Sequence, residues 1–412
     1  MQVNFRNVYI QSLVLASMPE FPQFPGKFSK LESFGLIVFI LTLGVSFVDT
    51  FWAVYIFEHT HSDVAVGLIS ALLTVVSLVS FVAFIPLFEK YDNSQLYQWS
   101  LFLMGICYAL FLFTQSLWII ILLGIILSIL TVIRLTCFGI ILKENSTNKN
   151  LAKHVGMSYT ILSLGWLVGP LLAAPIAERY GIPLLFLLSS FFFFMALLMY
   201  KILHIGMKRK KITRRDGHFF HKLTSFFHNP GLLRTYIVAG TSPLWWSFVY
   251  IYIPVYIIQQ GLGVQWVAYF LFATMVPIFV LEYSFNILAD RMKYRTAFVG
   301  GNLFLAVLLF ICFFVTNIYV LLALLSLGSV GLALVEPAAE SYFFLVAPKK
   351  DLEKNYSIYN TSLDIFGIIG KLIIAGCLVI LSFAYSFLFL SLCFFFLAWV
   401  SLSLKQVSGA KH

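Results

Sequence analysis

The sequence predicts an all-α membrane protein: twelve transmembrane helices arranged as two six-helix pseudo-repeats, with both termini cytoplasmic. Three observations predict it. The chain of 412 residues is 61% apolar and only 11% charged, with 44 Phe, 20 Tyr, 8 Trp and a mean hydropathy of +0.94. A soluble domain averages about 45–50% apolar and about 25% charged residues, so this chain has too little polar surface to cover a water-soluble globule. The apolar residues fall into runs of membrane length separated by turn and charge signals. The chain also aligns on itself.

Spans are expected at 33–57, 64–88, 96–114, 117–142, 156–176, 182–203, 233–258, 264–287, 296–315, 318–346, 357–382 and 386–404. Each approaches or exceeds the roughly 20 residues that cross a bilayer as a helix. The breaks carry polar or glycine signals, among them His59 to Asp63, Glu89 to Asn93, Gly261 to Gly263 and Pro348 to Asp351. Residues 1–32 form a cytoplasmic tail. Its short apolar core, Val8 to Leu15, is followed by Pro19, Pro22 and Pro25 and reads as a segment lying on the membrane surface. Two bundles follow at 33–203 and 233–404, joined by a basic cytoplasmic linker at 204–232 that carries Lys208 to Lys211, Arg214 and Arg215. A short tail, 405–412, ends the chain.

Charge sets the orientation. With both termini inside, 24 of the 27 Lys and Arg residues fall on the inner side and one, Arg179, on the outer side. That asymmetry is the positive-inside signal. It accounts for the net charge of +10, because basic inner loops face an anionic leaflet, and it argues against nucleic acid as a partner. The five cysteines all lie in apolar runs, without a CxxC pair, so neither a metal site nor a disulfide framework is expected. No phosphate-binding loop and no GxSxG is present, which argues against an enzyme of ATP or acyl chemistry.

The self-alignment runs without a gap at an offset of 201 residues. Leu43 to Ile56 lies over Leu244 to Ile257 with seven of fourteen positions identical. Leu87 to Lys90 lies over Leu288 to Arg291, and Gly169 over Gly370. Six spans per copy give both copies the same orientation, so the repeat axis runs along the membrane normal, as in transporters whose halves rock about a central site.

The segment Asn286 to Arg295, with Leu288, Ala289, Asp290 and Arg291 at its centre, is similar to the G-x-L-A-D-R-x-G-R-[RK] signature of the major facilitator superfamily. It stands where that family places it, between spans eight and nine. Ile85 to Ser94 is a weaker first-half copy that keeps Leu87, Glu89 and Lys90; neither copy has either signature glycine. Gly165-Trp-Leu-Val-Gly169-Pro170 resembles the G-x-x-x-G-P element of span five in antiporters of the family. The resemblance covers nearly the whole chain. It implies gating roles for Glu89, Lys90, Asp290, Arg291 and Arg295. Gly165 and Gly169, one turn apart, allow close helix approach, with Pro170 beside them.

Seven ionisable residues lie inside spans: Asp49, Arg134, Glu282, Glu336, Glu340, Asp364 and Lys371. Each costs about 2.5–3.5 kcal/mol on insertion scales and should pair or line water. Counted at 1.5 Å per residue from the inner ends, Arg134, Glu336 and Lys371 sit at depths of about 15, 16 and 20 Å. Glu336 and Glu340 share a helix face, and Lys371 can pair with either. The resemblance implies that spans one, four, seven and ten line the cavity, which makes Asp49, Arg134, Glu336 and Glu340 candidate substrate- and proton-coupling residues; Lys371 of span eleven joins them by its depth and its reach to the two glutamates. Trp245 and Trp246 in span seven are candidates for stacking against a substrate, or else interfacial belt residues. Glu282 is expected to support the Asp290 latch.

The expected function is secondary active transport of a small solute by alternating access, coupled to protons, with efflux by antiport favoured by the Gly165 to Pro170 element. Two alternatives stand beside it. One is uptake of a metabolite or sugar by symport or facilitated diffusion. The other is a non-transporting membrane protein kept for binding or sensing. The expected partners are a small-molecule substrate, protons and the lipid bilayer of the cell membrane. The expected state is a monomer without cofactor or metal.

Overall fold

The computed structural model describes residues 30–144, 151–203, 219–348 and 352–406. Most of the N-terminal tail, the first part of the basic linker and the end of the C-terminal tail therefore lie outside the described residues. Every element among those described is helical. In the first half these are α1 (Lys30–Thr60), α2 (Asp63–Ala83), α3 (Ile85–Lys90), α4 (Asn93–Phe111), α5 (Leu117–Glu144), α6 (Leu151–Tyr180) and α7 (Ile182–Ile202). A short α8 (Phe219–His228) leads into α9 (Pro230–Val238), α10 (Thr241–Ser247), a π-turn at Phe248–Tyr252 and α11 (Ile253–Gln259), which together make one span. Then come α12 (Val264–Met292), α13 (Tyr294–Cys312), α14 (Ile318–Val346), α15 (Leu352–Ile380) and α16 (Ala384–Leu402).

Twelve helical stretches thus match the twelve expected spans. Eleven are apolar enough to cross a membrane by composition alone. The twelfth, α4, is lowered by the Asn93, Ser94, Gln95 and Gln98 of its first two turns. Several of the spans begin at side-chain caps. Asp92 accepts from the Ser94 amide at 2.8 Å, Asn229 from Gly231 at 3.0 Å and Asn317 from Tyr319 at 2.9 Å, each satisfying helix-start donors that have no partner inside the helix. Nearly all of α1 and of the α9 to α11 span is buried, whereas the other spans leave about half or more of their surface outside. The first helix of each half is therefore its central one.

The 201-residue offset holds at atomic detail. α4 and α13 begin and end at equivalent residues, 93 with 294 and 111 with 312; α5 and α14 start together, as do α6 and α15. The Ser190 hydroxyl donates to the Gly105 carbonyl at 2.7 Å, and its counterpart Ser391 donates to the Ala306 carbonyl at 2.7 Å.

Two departures from the expectation have a local cause. Span two breaks after Ala83 because Pro86 has no amide hydrogen and its ring crowds the preceding turn; its second-half counterpart is Ile287, and α12 runs unbroken. The linker is partly helical: Phe226 of α8 packs against Tyr236, Phe343 and Tyr359.

By packing, the chain forms two compact units. One holds α1 to His59, α2 from Leu72, α3 to α7, and Gly263–Ala268. The other holds Thr60–Ala71, α8 to α11, α12 from Tyr269, and α13 to α16.

Between α12 and α13 a single residue, Lys293, turns the chain at φ 74°. It occupies the place of the second signature glycine. Asp92, at the equivalent first-half position, keeps φ at −69°. A lysine at such a positive φ costs about 1–3 kcal/mol. Lys293→Gly is therefore expected to raise stability by about 1 kcal/mol, read as a higher thermal midpoint in detergent. An unchanged or lower midpoint would refute the strain.

Candidate functional site

The first unit concentrates unusual polarity around α1. Asp49 is 4% exposed on this central helix, and both its carboxylate oxygens lack a hydrogen-bond partner among the described residues. Arg134 of α5 lies within electrostatic reach of it, and Tyr97 and Tyr108 of α4 lie within electrostatic reach of the same guanidinium. The Arg134 Nε and the Tyr97 hydroxyl also have no hydrogen-bond partner among the described residues. Leaving a buried donor or acceptor unpaired costs about 1–3 kcal/mol. Several such groups at one place point to a role other than packing. Trp52, one turn along α1, is different: it packs edge-on against Phe111 and Phe186, at 5.9 and 6.4 Å between ring centres.

The second unit also holds buried charge, each group with a close neighbour. Glu336 and Glu340 of α14 are both buried. The Ser242 hydroxyl donates to Glu336 Oε1 at 2.5 Å, and the Tyr356 hydroxyl donates to Glu340 Oε1. Lys371 is 1% exposed; its Nζ donates to the Ser70 carbonyl at 3.1 Å, and Asp364, two turns earlier on α15, lies within its electrostatic reach. Tyr252 donates to the Lys371 carbonyl at 2.5 Å. Gly67 makes room for that tyrosine, since a β-carbon at Gly67 would stand 1.9 Å from its hydroxyl oxygen. Lys371 and Tyr252 thereby tie the first part of α2 to the second unit.

The π-turn at Phe248–Tyr252 lies directly ahead of Pro254. Proline cannot donate to the carbonyl one α-turn back, and π-turns inside helices are frequent at functional sites. Trp246 and Tyr250 face each other there at 5.5 Å between ring centres. Trp245 is fully buried against Gly328 of α14 and Phe394 of α16, so it packs the interior of its unit.

Gly165 and Gly169 of α6 lie against Thr42 and Ser46 of α1. A β-carbon at Gly169 would meet the Ser46 Oγ at 2.2 Å, and one at Gly165 the Thr42 Cγ2 at 2.7 Å. The repeat reproduces the contact: a β-carbon at Gly370 would meet the Cβ of Ser247, the counterpart of Ser46, at 3.3 Å. Pro170 follows within α6. Glu89 and Lys90 close α3, and Asp290 and Arg291 stand in the last turn of α12. Arg291 and Lys90 are exposed and Arg295 is partly buried; the side chains of Glu89, Asp290 and Glu282 lie outside the described residues.

The Major Facilitator Superfamily profile matches residues 34–281 and 275–411. The chain belongs to this superfamily. A relative described as an uncharacterized MFS-type transporter of Methanocaldococcus jannaschii is 21% identical over 355 residues, which span 83% of this chain and 90% of that one. Two solved structures of POT family transporters share the fold at a TM-score of 0.74, with 11% and 12% identity, each over 90% of this chain and 95% of theirs. One holds a thioalcohol conjugated peptide and the other 5-aminolevulinic acid. As a superfamily member the protein is a multi-pass membrane transporter.

Of the residues singled out from sequence, the structure gathers Asp49 with Arg134 in one unit. In the other it holds Glu336, Glu340 and Lys371. Sequence reasoning missed the uncharged polar groups around them: Tyr97, Tyr108, Ser242, Tyr252 and Tyr356. A tyrosine inside an apolar span carries little signal by itself. The offset would have flagged Tyr97 and Tyr108, because their counterparts are Phe298 and Leu309.

Proposed function

We propose that this superfamily member is a proton-coupled secondary active transporter of a small solute, in which Asp49 is the carboxyl that binds and releases the proton. The supporting observation is the buried Asp49 on the central helix, without hydrogen-bond partners among the described residues and beside Arg134. The repeat counterparts of Asp49 and Arg134, Tyr250 and Val335, are uncharged. Arginine keeps its proton in proteins, so the pair has two charge states, set by Asp49. Neutralising Asp49 leaves the Arg134 charge uncompensated, and returning its charge restores the balance. A solute whose binding depends on that balance is linked to the proton by a coupling free energy that acts equally in both directions.

Glu336 and Glu340, held by Ser242 and Tyr356, are the second-half carboxyls of the same machinery in this reading. Residues 33–203 and 233–404 are the halves that alternate, 204–232 links them, and Glu89, Lys90, Asp290 and Arg291 latch the cytoplasmic face. In this reading both termini are cytoplasmic, on the charge asymmetry of the loops. Efflux by antiport is the favoured direction, on the Gly165 to Pro170 element.

The test is proton release from detergent-solubilised protein on adding a panel of cationic drugs, organic anions, short peptides and 5-aminolevulinic acid. Wild type is expected to release about one proton per ligand bound, and Asp49→Asn none. Release that persists in Asp49→Asn but disappears in Glu336→Gln moves the coupling carboxyl to the second half. Ligand binding with no release in any of the three proteins would favour facilitated diffusion or a binding role.

A further inference from the structure

The two halves are one fold written twice, so the second serves as an internal reference for the first. Asn93, Tyr97, Tyr108, Arg134 and Tyr200 have the counterparts Tyr294, Phe298, Leu309, Val335 and Ser401. In the second half Tyr294, Phe298 and Val335 belong to a single apolar cluster with Ala338 and Tyr342. Packing in this fold therefore does not require the polar groups that the first half carries at those places.

Those groups form a line along the inside of the first unit. It begins at the loop residue Asp92, whose carboxylate caps α4 through the Ser94 amide. The Ser94 hydroxyl lies 2.9 Å from that of Tyr200. The Tyr200 ring lies 5.1 Å from the Tyr97 ring, centre to centre, and both side chains are almost fully buried. The Tyr97 hydroxyl has no hydrogen-bond partner among the described residues. Beyond it come Arg134, within electrostatic reach of Tyr97, Tyr108 and Asp49, and then Tyr108 and Asp49 themselves. Tyr97 and Tyr108 stand about 16 Å apart along α4, so the line crosses a large part of the bundle. The groups that act on Asp49 from α4 and α5 are Tyr108 and Arg134. The helices α6 and α7 meet α1 through Gly165, Gly169 and Ser189, which carry no charge.

We propose that this line is the route by which protons reach Asp49, entering at the Asp92 loop and passing Ser94, Tyr200 and Tyr97. The proposal rests on the reading of Asp49 as the coupling carboxyl and adds to it the path and its side. Ser94, Tyr200 and Tyr97 each take a proton from behind and give their own forward, and beyond Tyr97 a file of waters passes Arg134 and carries the proton through the Tyr108 hydroxyl to Asp49. Only O–H bonds form and break, and the net change is one proton moved from the loop to the Asp49 carboxylate. Arg134 keeps its proton and holds the negative charge of Asp49 in place until the proton arrives.

The test follows the carboxylic acid C=O infrared band of Asp49 after a rapid drop in pH, in detergent-solubilised full-length protein and with protons as the only probe. The band is assigned by its loss in Asp49→Asn. Tyr97→Phe installs the residue that the second half already carries at 298, so the fold is expected to accept it. It is expected to slow the rise of the band by at least about tenfold with its final amplitude unchanged, and Tyr200→Phe is expected to do the same. A band that rises at the wild-type rate in both tyrosine variants overturns the route while leaving Asp49 as the coupling group. A wild-type spectrum that lacks any band removed by Asp49→Asn overturns the coupling reading itself.

Discussion

Arg134→Ala is expected to lose about 1–3 kcal/mol of stability, the cost of leaving a buried polar group uncompensated. Asp49 is 4% exposed on a helix surrounded by protein, and neither of its oxygens has a hydrogen-bond partner among the described residues to take over from the guanidinium. The variant leaves the Asp49 carboxyl in the membrane interior without the compensating charge of Arg134. The double variant Asp49→Asn/Arg134→Gln removes both charges at once and is expected to recover most of the loss, since replacing both partners of a buried pair by neutral groups is often close to neutral. Thermal or denaturant unfolding in detergent measures the cycle. Equal stabilities for the single and double variants would show that the two residues are not coupled. Recovery of stability without recovery of proton release separates the pair's part in folding from its part in transport.

Gly169→Leu is expected to be the most damaging packing change, at about 3 kcal/mol or more. The β-carbon alone would stand 2.2 Å from the Ser46 Oγ and 2.6 Å from its Cβ, so α1 and α6 must separate to admit any side chain. The repeat supplies the control. At Gly370 an added β-carbon would meet Leu244 at 3.1 Å and Ser247 at 3.3 Å, distances that a small shift relieves. Gly169→Ala should therefore cost clearly more than Gly370→Ala. The same unfolding measurement ranks the two, and equal costs would show that the contact is no closer in the first half.

These expectations draw unequally on sequence and structure. The membrane environment, the helix positions and the repeat were legible because bilayer thickness imposes a length on every apolar run and duplication leaves a constant offset. The glycine contact was legible in kind from Gly165 and Gly169 one turn apart, and the structure supplied Thr42 and Ser46 as the surfaces they meet. The candidate site was legible only in its charges. Asp49 and Arg134 stand out because charge is costly in a membrane, whereas Tyr97 and Tyr200 do not, because tyrosine is at home in apolar spans. Trp245, a stacking candidate from its position in span seven, lies in the notch left by Gly328, a neighbour that sequence spacing does not show.

What the sequence by itself determined is a transmembrane protein of twelve helices in two copies, since composition, run length and periodic self-similarity are properties of the chain. What only the tertiary structure decided is which polar groups share an interior. Arg134 stands 85 residues from Asp49 along the chain, and Tyr200 stands 106 from Ser94. Contacts at such separations are made by helix packing, which brings a few side chains of each helix to a common face and leaves the rest to lipid.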